Sequence, residues 1–146
     1  MSIIQSQYFK GNARTPVPHP HRKGEVIEFM FTHTFTETLG TSDVLDLFPI
    51  FPYGRIVGFD FICENVGTNA LDIGLMTGTP GATDARTSDD VLIDGIAANT
   101  GGVTSLAALA AIAQNGETPV SIGVKTATEI TAGSTKVLHA RIRIVS

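Results

Sequence analysis

The stretch Arg55 to Thr77, RIVGFDFICENVGTNALDIGLMT, constrains the fold more than any other part of the chain. Apolar residues alternate along both of its arms, with Val57, Phe59, Phe61 and Cys63 in one series and Leu71, Ile73 and Leu75 in the next. A period of two places each series on one face of a strand. Gly67-Thr68-Asn69-Ala70 separates the arms, so the pattern predicts two antiparallel strands joined as a hairpin. Gly58, Asp60, Glu64, Asp72 and Gly74 interleave with the apolar set and suit a wetter face. Two strands alone are marginal in water, so others must cover the apolar side.

The rest of the chain offers such strands. In Glu25 to Thr36 the residues Ile27, Phe29, Phe31, His33 and Phe35 fall on one side. His33 continues the apolar series and reads as a hydrogen-bonded or rim histidine rather than a metal ligand. Asp43 to Ile50 begins as a strand, and Pro49 and Pro52 predict an edge or a crossing between sheets. Val91 to Ala97 is a short strand, followed by a turn at Asn99-Thr100-Gly101-Gly102. Pro119 opens a strand with Val120, Ile122 and Val124 facing in. Lys136 to Val145 closes the series, with Leu138, Ala140, Ile142 and Ile144 inside and His139, Arg141 and Arg143 outside. Two arginines on one face are expected to be solvated or to guard an edge.

The single helix candidate covers about 104–113, where Thr104 or Ser105 can cap an Ala-rich run and Asn115-Gly116 can stop it. Seven strands, eight with a contribution from the N-terminus, predict an all-β fold: an antiparallel β-sandwich, jelly-roll-like, with an extended N-terminal arm. Gly (15) and Pro (7) with 16% charged residues support short strands and turns over a helical bundle. The length fits one domain at 25–146, preceded by an arm at 1–24. Pro16, Pro18 and Pro20 stiffen that arm, and Ile3, Ile4, Tyr8 and Phe9 give it apolar grip, enough for a short edge strand near its start.

Charge is distributed unevenly. Residues 1–24 carry Lys10, Arg14, Arg22 and Lys23 and no acid, whereas 25–117 set thirteen acids against Arg55 and Arg86. A basic end on an acidic body is expected to lie on another acidic surface, a neighbouring copy or a partner. Tyr8, Phe9, Lys10, Arg14, Arg22 and Lys23 are therefore the candidate partner contacts. Nucleic acid is disfavoured as that partner, because the arm has few aromatics and no recognisable binding motif.

Chemistry is sparse. The strained serine turn and both glycine-rich phosphate loops are missing, and no cofactor is indicated. His19-Pro-His21 lacks a third metal ligand. Asp84, Asp89, Asp90 and Asp94 in the turn-rich region after Thr77 could be imagined around calcium, but their spacing is not that of an EF-hand loop. Cys63, on the apolar side of its strand, reads as a buried hydrophobe. No apolar run approaches the ~20 residues of a membrane span. The start, MSIIQSQYFK, lacks signal-peptide features, so the chain is expected to stay where it is synthesised. The reading is of a protein that is not an enzyme.

The basic arm, the passage LDIGLMTGTPGATD, the Ala-rich segment before a Pro-started strand and the ending AGSTKVLHARIRI resemble the small head decoration, or cement, proteins of tailed bacteriophages. That resemblance implies a jelly-roll-like protein, made in the host cytoplasm, that seats on the capsid exterior of the virion. Its implied partners are the major capsid protein and itself, as a dimer or trimer. The alternative is a ligand- or glycan-binding sandwich of a virion or cell surface, which would need exposed aromatic platforms.

Overall fold

The computed structural model describes residues 2–6, 26–83 and 86–145. Among the described residues, nine strands run in chain order: β1 (Ile3–Gln5), β2 (Val26–Thr34), β3 (Val44–Ile50), β4 (Arg55–Glu64), β5 (Ala70–Met76), β6 (Ile93–Ala97), β7 (Gly102–Val103), β8 (Val120–Thr126) and β9 (Val137–Val145). They form two sheets, ordered β1-β3-β8-β5-β6 and β2-β9-β4-β7. From β2 to β5 the chain changes sheet at every connection, and β8 and β9 return to lie between earlier strands. This is the strand order of a jelly roll, with β1 added in parallel on the outer side of β3.

The hairpin expected over Arg55–Thr77 does not form. β4 pairs with β9 and β7, while β5 pairs with β8 and β6, so the connection 65–69 arches from one sheet to the other. Alternation cannot tell the two arrangements apart, because strands facing each other across a core bury the same series as strands paired side by side. The arch needs unusual backbone, and Asn65 and Gly67 both take positive φ.

Inward residues from the two sheets make one core. Phe48 of β3 stacks on Phe31 of β2 at 4.5 Å and meets Phe29 at 5.4 Å, which ties sheet to sheet. His33 is buried and sets its ring edge-on to Phe35 at 5.0 Å. A bulge between Ile56 and Gly58 shifts the inward series of β4 by one residue. Ile56 is therefore the buried side chain and Val57 is only half-buried, contrary to the simple alternation.

β3 is not an edge strand over its first half, because β1 pairs with Val44, Leu45 and Asp46. Pro49 lies beyond that pairing, where its missing N–H breaks no described ladder. A second bulge between Asp46 and Phe48 lets Leu45 and Phe48 face the core while Asp46 turns outward. There Asp46 meets Arg86, which reaches down from the 77–90 loop. Arg86 Nη1 donates to Asp46 Oδ2 at 2.6 Å, Nη2 to Ser121 Oγ at 2.8 Å and Nε to the Thr77 carbonyl at 2.8 Å. Gly81 N–H also donates to Asp46 at 3.0 Å. The loop is thus stapled across β3 and β8. It sits so close that a Cβ at Gly74 would strike Asp89, and one at Gly123 would strike Met76 and Ser88.

Helix α1 (Leu106–Ala111) is shorter than the span expected from composition. Ser105 caps it by accepting from Ala108 N–H at 3.1 Å, and Ile112 is already extended, before Asn115-Gly116. β7 was hidden in what reads as a turn. Gly101 permits that close approach, since its φ is +69° and a side chain there would meet the Phe61 carbonyl.

Candidate interaction surface

The two outer faces of the sandwich differ. Among the described residues, the loop around Arg86 covers the outside of the five-stranded sheet, whereas none covers the outside of β2-β9-β4-β7. Cross-strand register sets Met30, Arg141, Asp60 and Val103 in one row across it. The adjacent row holds Thr32, His139 and Ile62. Met30 and Val103 are each 77% exposed, and Ile62 is 44% exposed. With Thr100, Gly101 and Gly102 they line a shallow depression of about 440 Å³.

Its charges are already matched. Arg141 grips Asp60 in a bidentate pair at 3.0 and 2.9 Å, and Arg143 reaches Glu28 at 3.1 Å. Donating hydrogen bonds to Asp60 and lying beside its charge raises the pKa of Arg141 further, so this guanidinium stays charged. His139 Nε2–H donates to Glu64 at 3.0 Å, and its Nδ1 meets the Thr32 hydroxyl at 2.8 Å. Of the two roles expected for the arginines, guarding an edge fails because β9 is central in its sheet, while both side chains are partly solvated. They form a ladder of ion pairs on it.

The candidate contacts Tyr8, Phe9, Lys10, Arg14, Arg22 and Lys23 lie outside the described residues, as do His19, His21 and Asp84. Their flanks are placed: Ser6 is buried beside β3, where its hydroxyl donates to the Leu47 carbonyl, and Val26 begins β2 on the other sheet. Among the described residues, Asp72, Asp90 and Asp94 bring carboxylate oxygens within 4.8 Å of one another. One Asp72 oxygen accepts from Gly95 N–H at 2.8 Å, and exposed acids of this kind serve as well on a solvated rim. Asp89 is spent on the backbone instead, accepting from Leu75 and Val91 N–H.

Cys63 is 3% exposed, and burial pushes its thiol up from 9.0 to about 12. At pH 8 the native protein should therefore resist thiol reagents and react at once in denaturant, which absorbance of the released chromophore would follow. Because the folded state holds this proton more tightly, the stability it contributes is complete below pH 9 and declines as pH rises toward 12. Rapid labelling of the folded protein would contradict its placement.

Two surface features escaped the sequence. The exposed apolar set on the open sheet was invisible because Met30, Ile62 and Val103 lie far apart in the chain. The Arg86 staple left one trace, an acid at Asp46 inside the apolar run VLDLFPI, where a buried carboxylate demands a partner.

No helix among the described residues is long and apolar enough to cross a membrane. No protein-family model matches the chain, and no curated protein matches it in sequence. Solved structures do. A chain from the capsid of Ralstonia phage GP4 superposes with a TM-score of 0.79 at 25% identity, over 99% of this chain and 97% of that one. A chain of the cyanophage Pam1 capsid asymmetric unit shares the fold with a TM-score of 0.50 at 15% identity, over 93% of this chain and 97% of that one. The chain is thus similar from end to end to proteins found in phage capsids.

Proposed function

We propose that this chain is a structural virion protein that binds the outer surface of a phage capsid and stabilises the shell by bridging major capsid subunits. The observation that carries the reading is the end-to-end likeness to a chain of the phage GP4 capsid. The body is built for such a role, since two sheets share one core and the long loop of one sheet is pinned by a buried ion pair. A rigid body making many modest contacts on a lattice gains attachment through multivalency.

The basic segment supplies part of that contact in this proposal. Lys10, Arg14, Arg22 and Lys23 meet acidic groups of the shell, with Tyr8 and Phe9 adding apolar anchorage. Both flanks of the segment are held by the sandwich, at Ser6 and at Val26. The division into a segment 1–24 and a body 25–146 belongs to this proposal, with Ile3–Gln5 attached to the body as its edge strand. Deleting the whole segment would therefore also remove β1, and charge neutralisation is the cleaner test.

Purified protein added to shells that lack it should co-sediment with them to a fixed stoichiometry. Replacing the four basic residues with serine should weaken attachment by roughly 10- to 100-fold, since exposed ion pairs contribute up to about 1 kcal/mol each. Unchanged attachment would remove the segment's role. No attachment of the unmodified protein to any surface of the shell would remove the reading itself.

A further inference from the structure

We propose that the outer face of β2-β9-β4-β7 is the side of the body that seats on the shell, against an acidic and partly apolar protein surface, and that the five-stranded side points away from it. The inference rests on the virion role proposed above and adds to it the orientation of the body.

The ends of the basic segment fix the side of approach. Arg22 and Lys23 stand four and three residues before Val26, and a chain rises by no more than about 3.6 Å per residue, so their Cα atoms lie within about 14 Å of the start of β2. Lys10 follows Ser6 by four residues, and Ser6 is held against β3, whose Phe48 packs on β2. Both ends of the segment thus open on the β2 side of the sandwich. An acidic surface that receives these cations has to come up against that side.

The outer face continues the basic character there. Register sets Val26, Val145 and Arg55 in one row, and because Ile144 and Ile56 are buried, Val145 and Arg55 point outward. Arg55 has no ion pair among the described residues, and its Nε finds no hydrogen-bond acceptor there. A guanidinium in that state is matched by a carboxylate brought from outside. The other arginines of the face are closed in pairs, Arg141 with Asp60 and Arg143 with Glu28, so they ask nothing of a partner. Between them Val26, Met30, Ile62 and Val103 expose apolar side chains. A patch of this kind, threaded with polar groups, marks a contact surface.

The five-stranded side suits the same partner badly. It carries Asp72, Asp89, Asp90 and Asp94 beside Lys125, and these carboxylates would repel an acidic shell. A second copy laid on the outer face would set Arg55 and the basic segment against a face that presents the same cations, so charge favours the shell as the occupant. β7 is two residues long, which keeps the face small, and face and segment therefore share the attachment.

The test uses the full chain and shells that lack it. Met30→Glu with Val103→Glu changes two exposed positions, so the melting temperature should stay within about 2 °C of the parent. Pressing two new carboxylates on an acidic surface should weaken co-sedimentation with shells about 10-fold or more. Asp90→Lys with Asp94→Lys, on the side that points away, should leave attachment within about two-fold. In the unmodified protein, hydroxyl-radical oxidation of Met30 should fall several-fold once it is bound to shells, whereas Met76, already buried, should stay protected throughout. Full attachment of the Met30/Val103 variant, an unprotected Met30, or an equal loss in the Asp90/Asp94 variant would overturn the orientation and leave the virion role standing. A free protein that sediments as a dimer and becomes monomeric in the Met30/Val103 variant would also overturn it, by assigning the face to a second copy. Failure of the unmodified protein to bind shells would instead strike the virion role, and this inference with it.

Discussion

Replacing Arg86 with alanine is expected to lower the free energy of unfolding by about 3–5 kcal/mol, the cost of leaving a buried charge without its partner. Asp46 is fully buried and Arg86 is 3% exposed, so water cannot take over the lost contacts. The loss spreads beyond the ion pair. Arg86 also holds Ser121 on β8 and the Thr77 carbonyl at the root of the loop. Asp46 already leaves its Oδ1 without a hydrogen-bond donor among the described residues, so the truncation exposes a site with no spare compensation. For a domain of this size the melting temperature should fall by roughly 10 °C. Hydrogen exchange should show the 77–90 loop opening first. The double variant Arg86→Met with Asp46→Leu removes both charges together and should lose less than Arg86→Ala alone. A melting temperature within 2 °C of the parent for Arg86→Ala would mean that the loop is held by something other than this pair.

Phe48→Ala is expected to cost about 3–5 kcal/mol for a different reason, a cavity between the sheets. Phe48 is 1% exposed and receives Phe29 and Phe31 from the facing sheet. Neither neighbour can slide in to fill the gap, because Phe31 is fixed opposite Ala140 and Phe29 opposite Ile142 in the ladder with β9. Urea titration should show the midpoint falling at an unchanged slope, the mark of lost stability without a changed unfolded state. Phe48→Leu keeps much of the volume and should recover more than half of the loss. Equal losses for the two variants would argue that the aromatic contact itself, rather than the filled volume, joins the sheets.

The strands were legible in the sequence because each keeps one face dry. Ile122 and Val124 of β8 and Leu138, Ala140, Ile142 and Ile144 of β9 are buried as their alternation requires. Pairing was not legible. Periodicity reports which way a side chain points and nothing of which strand lies alongside, so the stretch 55–77 read as a hairpin when it is an arch between sheets. Bulges were equally silent, since the extra residue at 56–58 leaves no compositional trace. β7 is two residues long and has no period to detect. The open face shows the same limit from the functional side. Its matched charges and exposed apolar groups arise from cross-strand register, with Glu28 and Arg143 brought together across 115 positions of chain. The Arg86–Asp46 pair joins a turn-rich loop to a strand 40 residues earlier, and only the acid within an apolar run hinted at it.

Imaging the intact particle tests most directly the proposal that this jelly roll sits on the outside of a phage shell. A reconstruction of virions carrying the protein should show density for the two-sheet body on the outer surface, spanning junctions between major capsid subunits and absent from particles made without it. Density only on the inner surface, or no difference between the two particles, would contradict the account.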